Sequence, residues 1–144
     1  IRVAEDNNCD VTPMLIPLSN DNNANFFNLK NHFVPGKSGH KFGNRIENKK
    51  SFGISSYKLD DLVLSKTIPM PNYIKIDVDG HEKRALEGMK EVLQNDKLIS
   101  ILVEFSYSEE LDYYEKEFKK YNLKLIAGPT GNNRNYIFSK KINI

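Results

Sequence analysis

Residues 73–89 read YIKIDVDGHEKRALEGM, and positions 77–82 of that stretch hold three carboxylates, a histidine and a glycine. Grouped carboxylates suit taking a proton from a hydroxyl or orienting a polar ligand. As a strand, Tyr73–Val78 sends Ile74, Ile76 and Val78 to one face and Tyr73, Lys75, Asp77 and Asp79 to the other. Asp77 and Asp79 then point the same way, about 7 Å apart at a rise of roughly 3.3 Å per residue. Gly80 permits a sharp exit into a helix over His81–Asn95, whose inner face carries Ala85, Leu86, Met89, Val92 and Leu93. Glu82 shares that face at the helix start, where the macrodipole favours a carboxylate. This places Asp77, Asp79 and Glu82 at one cleft. Structural roles stand beside the chemical ones: Lys75 pairing with Asp77, Asp79 capping, Glu82 capping. The spacing of Asp77, Asp79, His81 and Glu82 matches no specific metal motif, so no metal is expected. A solvent-facing His81 is favoured over a catalytic one.

The surrounding elements must position this turn. Leu98–Phe105 (LISILVEF) is a continuous apolar run of the kind buried on both faces in parallel sheets. Its Glu104 falls beside the Asp77 end if the two strands are neighbours. Pro13–Leu18, Asn25–Leu29 and Ser51–Tyr57 read as further strands, and residues 59–63 (LDDLV) start a short helix. Residues 31–50 read as a long loop, either a functional lid or a disordered stretch. Ser108 caps a helix running to Tyr121, with Glu109 and Glu110 in its first turn. Leu123–Ala127 and Asn135–Ser139, separated by GPTGNN, are expected to pair as an antiparallel hairpin. Strand and helix alternate as in βαβ units, which predicts an α/β fold with a mostly parallel sheet. In open sheets of that kind ligands bind beyond the carboxyl ends of the strands.

Composition narrows the classes. A chain of 144 residues is expected to form one domain. Lys and Arg number 21 against 19 Asp and Glu, a net charge of +2, and no run of like charge suggests nucleic acid. Cys9 is the only cysteine, which excludes an internal disulfide. No apolar stretch reaches the ~20 residues of a membrane span, so a cytoplasmic protein with no membrane partner is expected. Glycine-rich phosphate loops and nucleophile elbows are lacking.

The stretch IKIDVDGHEKRALEGMKEVL resembles the central motif of FkbM-type S-adenosylmethionine-dependent methyltransferases, approximately L-K-I-D-V-E-G-x-E followed by a helix with L-x-G. YKLDDLV is similar to the T-L-D-D-L segment of that family, and ILVEF to its V-E strand. LIPLSNDNNANFFNL is similar to its A-L-S-D…F strand–turn–strand, with Asn20 in place of Asp and Pro17 in place of Ala. The final YNLKLIAGPTGNNRNYIFSKK is similar to its closing hairpin. The resemblance runs from Pro13 almost to the end of the chain.

What the resemblance implies is a Rossmann-like methyltransferase sheet that moves a methyl group from S-adenosylmethionine to a hydroxyl of a sugar or small natural product. Ser19 and Asn20 would lie near the adenine, and Asp77 at the cleft of cofactor and acceptor. Asp79 takes the place of the family's Glu, with Gly80 and His81 completing the candidate acceptor-binding turn. Asp77 or Glu82 is the expected base or acceptor-orienting group, supported by Glu104. The family's first strand ends in D-x-G-x-x-x-G, and an acidic residue follows its second strand. Neither stands in these residues, so the expectation is the C-terminal portion of such a fold. A non-catalytic binding module and another Rossmann-type enzyme, such as one acting on nucleotide sugars, are the alternatives.

Overall fold

The computed structural model describes residues 6–30, 40–105, 109–129 and 134–141. It is an α/β structure of two sheets. The first is antiparallel, built from β1 (Ala24–Asn28), β2 (Lys41–Gly43) and β3 (Ser51–Ser55) in the order β2-β1-β3. The second contains β4 (Tyr73–Ile76), β5 (Ser100–Glu104), β6 (Lys124–Ala127) and β7 (Asn135–Ser139) in the order β4-β5-β7-β6. Helix α1 (Leu59–Leu64) links the sheets, α2 (Glu82–Glu87) and α3 (Lys90–Gln94) cross from β4 to β5, and α4 (Glu109–Lys119) connects β5 to β6.

The second sheet is mixed rather than mostly parallel. Only β4 and β5 pair in parallel, with Ile76 opposite Val103, while β7 runs antiparallel to both β5 and β6. The closing hairpin is therefore as expected, and it supplies two of the sheet's three pairings. The separate antiparallel sheet was not anticipated. Its β2 lies inside the residues read as loop, and residues 31–39 of that loop fall outside the described residues.

The core gathers on the mixed sheet and its helices. Met89, Leu98, Ile101, Val103, Leu123 and Phe138 are fully buried. Phe105 stacks on Tyr114 with ring centroids 4.7 Å apart, and Phe118 meets Phe138 edge-on at 4.6 Å. These contacts hold α4 against β5 and β7 with the offset and tilted geometries aromatic rings prefer. Val78 departs from the expected packing face. The strand ends at Ile76, and Val78 is 41% exposed.

The expected helix over His81–Asn95 is two helices. At Gly88 a side chain's first carbon would come within 1.9 Å of the Ser19 carbonyl oxygen, so the chain segment 17–20 crosses directly over this point. The helix yields there, and Asp60 caps the second piece: its carboxylate accepts the N–H groups of Val92 at 2.9 Å and Glu91 at 3.1 Å. Pro13–Leu18 forms no strand beyond a single parallel bridge between Leu18 and Tyr57. Pro13 and Pro17 lack the N–H a ladder requires. The Ser108 cap lies outside the described residues, as does part of the GPTGNN turn. Among the described residues, no helix is long and apolar enough to cross a membrane.

Candidate functional site

The turn after β4 adopts an uncommon backbone. Asp79 has φ +48° and Gly80 φ +93°, two consecutive residues in the left-handed region. Glycine enters that region freely and aspartate at modest cost. Glu82 is 3% exposed, and its Oε1 accepts the Gly80 N–H at 3.1 Å. This carboxylate thus fixes the turn from beneath. Asp77 is exposed, with its Oδ2 3.1 Å from Lys75 Nζ. One residue past the Ile76–Val103 pair come Asp77 and Glu104 on neighbouring strands, and Glu104 is half-buried opposite Asn135 of β7. Asp77, Asp79 and Glu82 therefore occupy one turn in three environments.

A cavity of about 560 Å³ opens where this turn faces the antiparallel sheet. Its size is within the range of small-molecule sites. Asp79, His81 and Val78 come from the turn, Phe27, Phe42 and Phe52 from the sheet, and Met14–Leu18 from the preceding segment. The sheet register explains the aromatic wall. Phe27 stands directly opposite Phe42 on one side and Phe52 on the other, so three rings form a row across the strands. Phe27 and Phe52 have centroids 5.3 Å apart, His40 lies 5.4 Å from Phe27, and Phe42 meets His81 edge-on at 5.5 Å.

His81 is half-buried and lines this cavity. Burial and the nearby Arg84 guanidinium hold its imidazole below the ordinary histidine value, against the opposing pull of Glu82. Its ring makes no hydrogen bond among the described residues.

Ser19 and Asn20 lie against α2 and its end at Gly88, and neither lines the cavity. Ser19 is fully buried, with its N–H donated to the Tyr57 carbonyl at 2.9 Å. The Asn20 amide donates to Glu87 Oε2 at 2.8 Å and accepts from Arg84 Nε at 3.1 Å. Arg84 also reaches Asp21 Oδ2 at 3.1 Å. Sequence reasoning missed Arg84, His40 and the phenylalanine row. The row had a signal, since NFFN, KFG and SFG each carry phenylalanine in a short segment, but only the pairing register brings them together. Among the described residues, no three His, Cys, Asp or Glu side chains cluster to hold a metal ion.

The hexuronic acid methyltransferase AglP of Haloferax volcanii is 35% identical to this chain over 63 residues, which is 44% of the chain and 26% of that relative. The matched part thus spans about a quarter of the relative's length. No solved structure is significantly similar to the chain. The methyltransferase FkbM domain model matches residues 5–137, and the chain belongs to that family.

Proposed function

We propose that this chain is part of an S-adenosylmethionine-dependent O-methyltransferase whose acceptor is a hydroxyl of a sugar or a closely related small molecule. The observation that carries the reading is the cavity joining the DVDGH turn to the Phe42–Phe27–Phe52 row. Flat apolar walls with a few convergent polar groups are the usual make-up of a small-molecule site. The phenylalanine rings lining the cavity suit the C–H faces of a pyranose, and the hexuronic acid named for the Haloferax relative is of that class. The strand order β4-β5-β7-β6 supports placing the chain in the later half of a Rossmann-like sheet.

The donor set fits the cationic part of the cofactor. Asp77 and Asp79 put two carboxylates at the end of β4, where a sulfonium and an ammonium would find opposite charge. Asn20 fits less well through its side chain, whose amide is already bonded to Glu87 and Arg84. When bound, the cofactor supplies an electrophilic methyl carbon. The chain's own contribution is to orient the acceptor and to exclude water from the apolar wall.

Asp77→Asn in a protein carrying this whole domain tests the charge argument. Affinity for S-adenosylmethionine is expected to fall about tenfold, the size of one charge-assisted contact. Affinity for S-adenosylhomocysteine, which lacks the sulfonium charge, should fall less. Calorimetric titration reads both, and failure of the unsubstituted protein to bind either would remove the reading. A binding module without transfer is the second possibility, favoured by the engagement of Asp77 with Lys75 and of Glu82 with Gly80. Transfer of a labelled methyl group to a hexuronic acid separates the two.

A further inference from the structure

Methyl transfer to a hydroxyl requires a group to accept the proton, and the carboxylates of the turn are poorly disposed for it. Asp77 is held 3.1 Å from Lys75 Nζ, and Glu82 is buried and occupied by the Gly80 N–H. Glu104 lies at the end of β5 and is not among the residues lining the cavity. Two titratable groups of the turn do line it, Asp79 and His81. Of these, an imidazole lies nearer the protonation range of neutral water, where a general base works best.

We infer that His81 is the general base of the reaction, taking the proton of the acceptor hydroxyl within the aromatic cavity. The inference rests on the methyltransferase reading above. As the acceptor oxygen attacks the methyl carbon, the O–C bond forms and the C–S bond breaks. The electron pair of that bond stays on sulfur, leaving a neutral thioether, and the hydroxyl proton passes to an imidazole nitrogen and then to water. Three features support the role. The ring is on the cavity wall, its orientation is set by the edge-on contact with Phe42, and no hydrogen bond among the described residues occupies its nitrogens. Among the described residues, the charged and titratable groups that line the cavity with it or act on its ring are Asp79 from the turn, Glu82 and Arg84 from α2, and His40 from the start of the antiparallel sheet. Burial and Arg84 favour the neutral ring over the pull of Glu82, so the base is ready at neutral pH.

The sign of the pH dependence follows. Activity should be full at neutral pH and fall as acid protonates the ring, with a midpoint below the ordinary 6.5. The test uses the protein carrying the whole domain, S-adenosylhomocysteine, and a free hexuronic acid as the acceptor probe. His81→Gln is expected to keep S-adenosylhomocysteine affinity within about twofold while turnover drops roughly 10²–10⁴-fold and the acidic limb disappears. In the unsubstituted protein, the imidazole resonances of His81 should shift when the uronic acid is added. That second measurement needs no variant to fold. Unchanged turnover in His81→Gln, or resonances unmoved at saturating uronic acid, overturns the role of His81 and leaves the transferase reading in place. Absence of both cofactor binding and transfer in the unsubstituted protein overturns the two together.

Discussion

Gly88 shows how one residue can be fixed by a distant backbone. It stands in the L-x-G part of the motif, yet its φ of −91° is open to any residue. What excludes a side chain is the Ser19 carbonyl, 1.9 Å from where the added carbon would sit. Because that neighbour is backbone, held by the Ser19 N–H bond to Tyr57, it cannot swing aside. Gly88→Ala should therefore destabilise the fold by about 2 kcal/mol or more, at the upper part of the range for overpacking. Chemical denaturation reads this as a lowered midpoint, and a loss under about 0.5 kcal/mol would contradict the close approach. The residue scale was partly legible in the sequence. The glycine turn at Gly80 follows from local conformational preference, and so does the pairing of Lys75 with Asp77. Helix periodicity placed Glu82 on the inner face, where it is buried, but did not say that its carboxylate would accept the Gly80 N–H.

At the scale of elements, the runs with strong local patterns are found where the sequence puts them. The strands at 73–76, 100–104, 124–127 and 135–139 and the helix from Leu59 all stand close to expectation. The errors came from contacts that pattern does not encode. An inner face continuous from Ala85 to Leu93 predicts one helix, and the crossing of Ser19 over Gly88 divides it. The three-residue strand Lys41–Gly43 is too short to show alternation, and it is held by Asn28. The Asn28 amide donates to the carbonyls of Lys41 at 3.2 Å and Asn44 at 3.0 Å, and its Oδ1 accepts from Ile46 N–H at 2.9 Å. The aspartates of LDDL likewise have structural roles, Asp60 at the start of α3 and Asp61 accepting from the Asn22 amide. Since α3 has only five residues, it cannot persist on its own hydrogen bonds. Asp60→Ala should cost about 1–2 kcal/mol, the range for losing a helix cap. Hydrogen exchange should locate the loss, with the amides of Glu91 and Val92 exchanging faster while those of β5 shift only by the global change.

Across the whole molecule, the segment from Pro17 to Asn23 is the seam between the two sheets, and the cavity opens at its start, lined by Pro17 and Leu18. Pro17 and Ser19 bond to Tyr57 through the backbone, Asn22 accepts the Lys58 N–H at 2.8 Å, and Arg84 ties Asn20 and Asp21 to α2. Relative placement of the aromatic row and the DVDGH turn thus depends on polar contacts spread over several elements, the part of a fold least visible to hydrophobic patterning. Asp21 is the titratable member. Burial alone would raise its carboxyl, but hydrogen bonds from Ser56, Asn23 and Ser19 and the Arg84 charge outweigh this and hold it below the ordinary 3.8. A depressed carboxylate stabilises the folded state above its unfolded value, and that contribution disappears as pH falls through the folded one. The ion pair is about one-third exposed on both sides, 35% for Arg84 and 32% for Asp21, so its share is at most about 1 kcal/mol. Asp21→Asn should therefore be less stable than the unsubstituted protein at neutral pH, and the gap should close as pH drops below about 4. Denaturation midpoints measured across that window check the sign, and a gap that stays constant in acid would show that Asp21 acts by shape and not by charge.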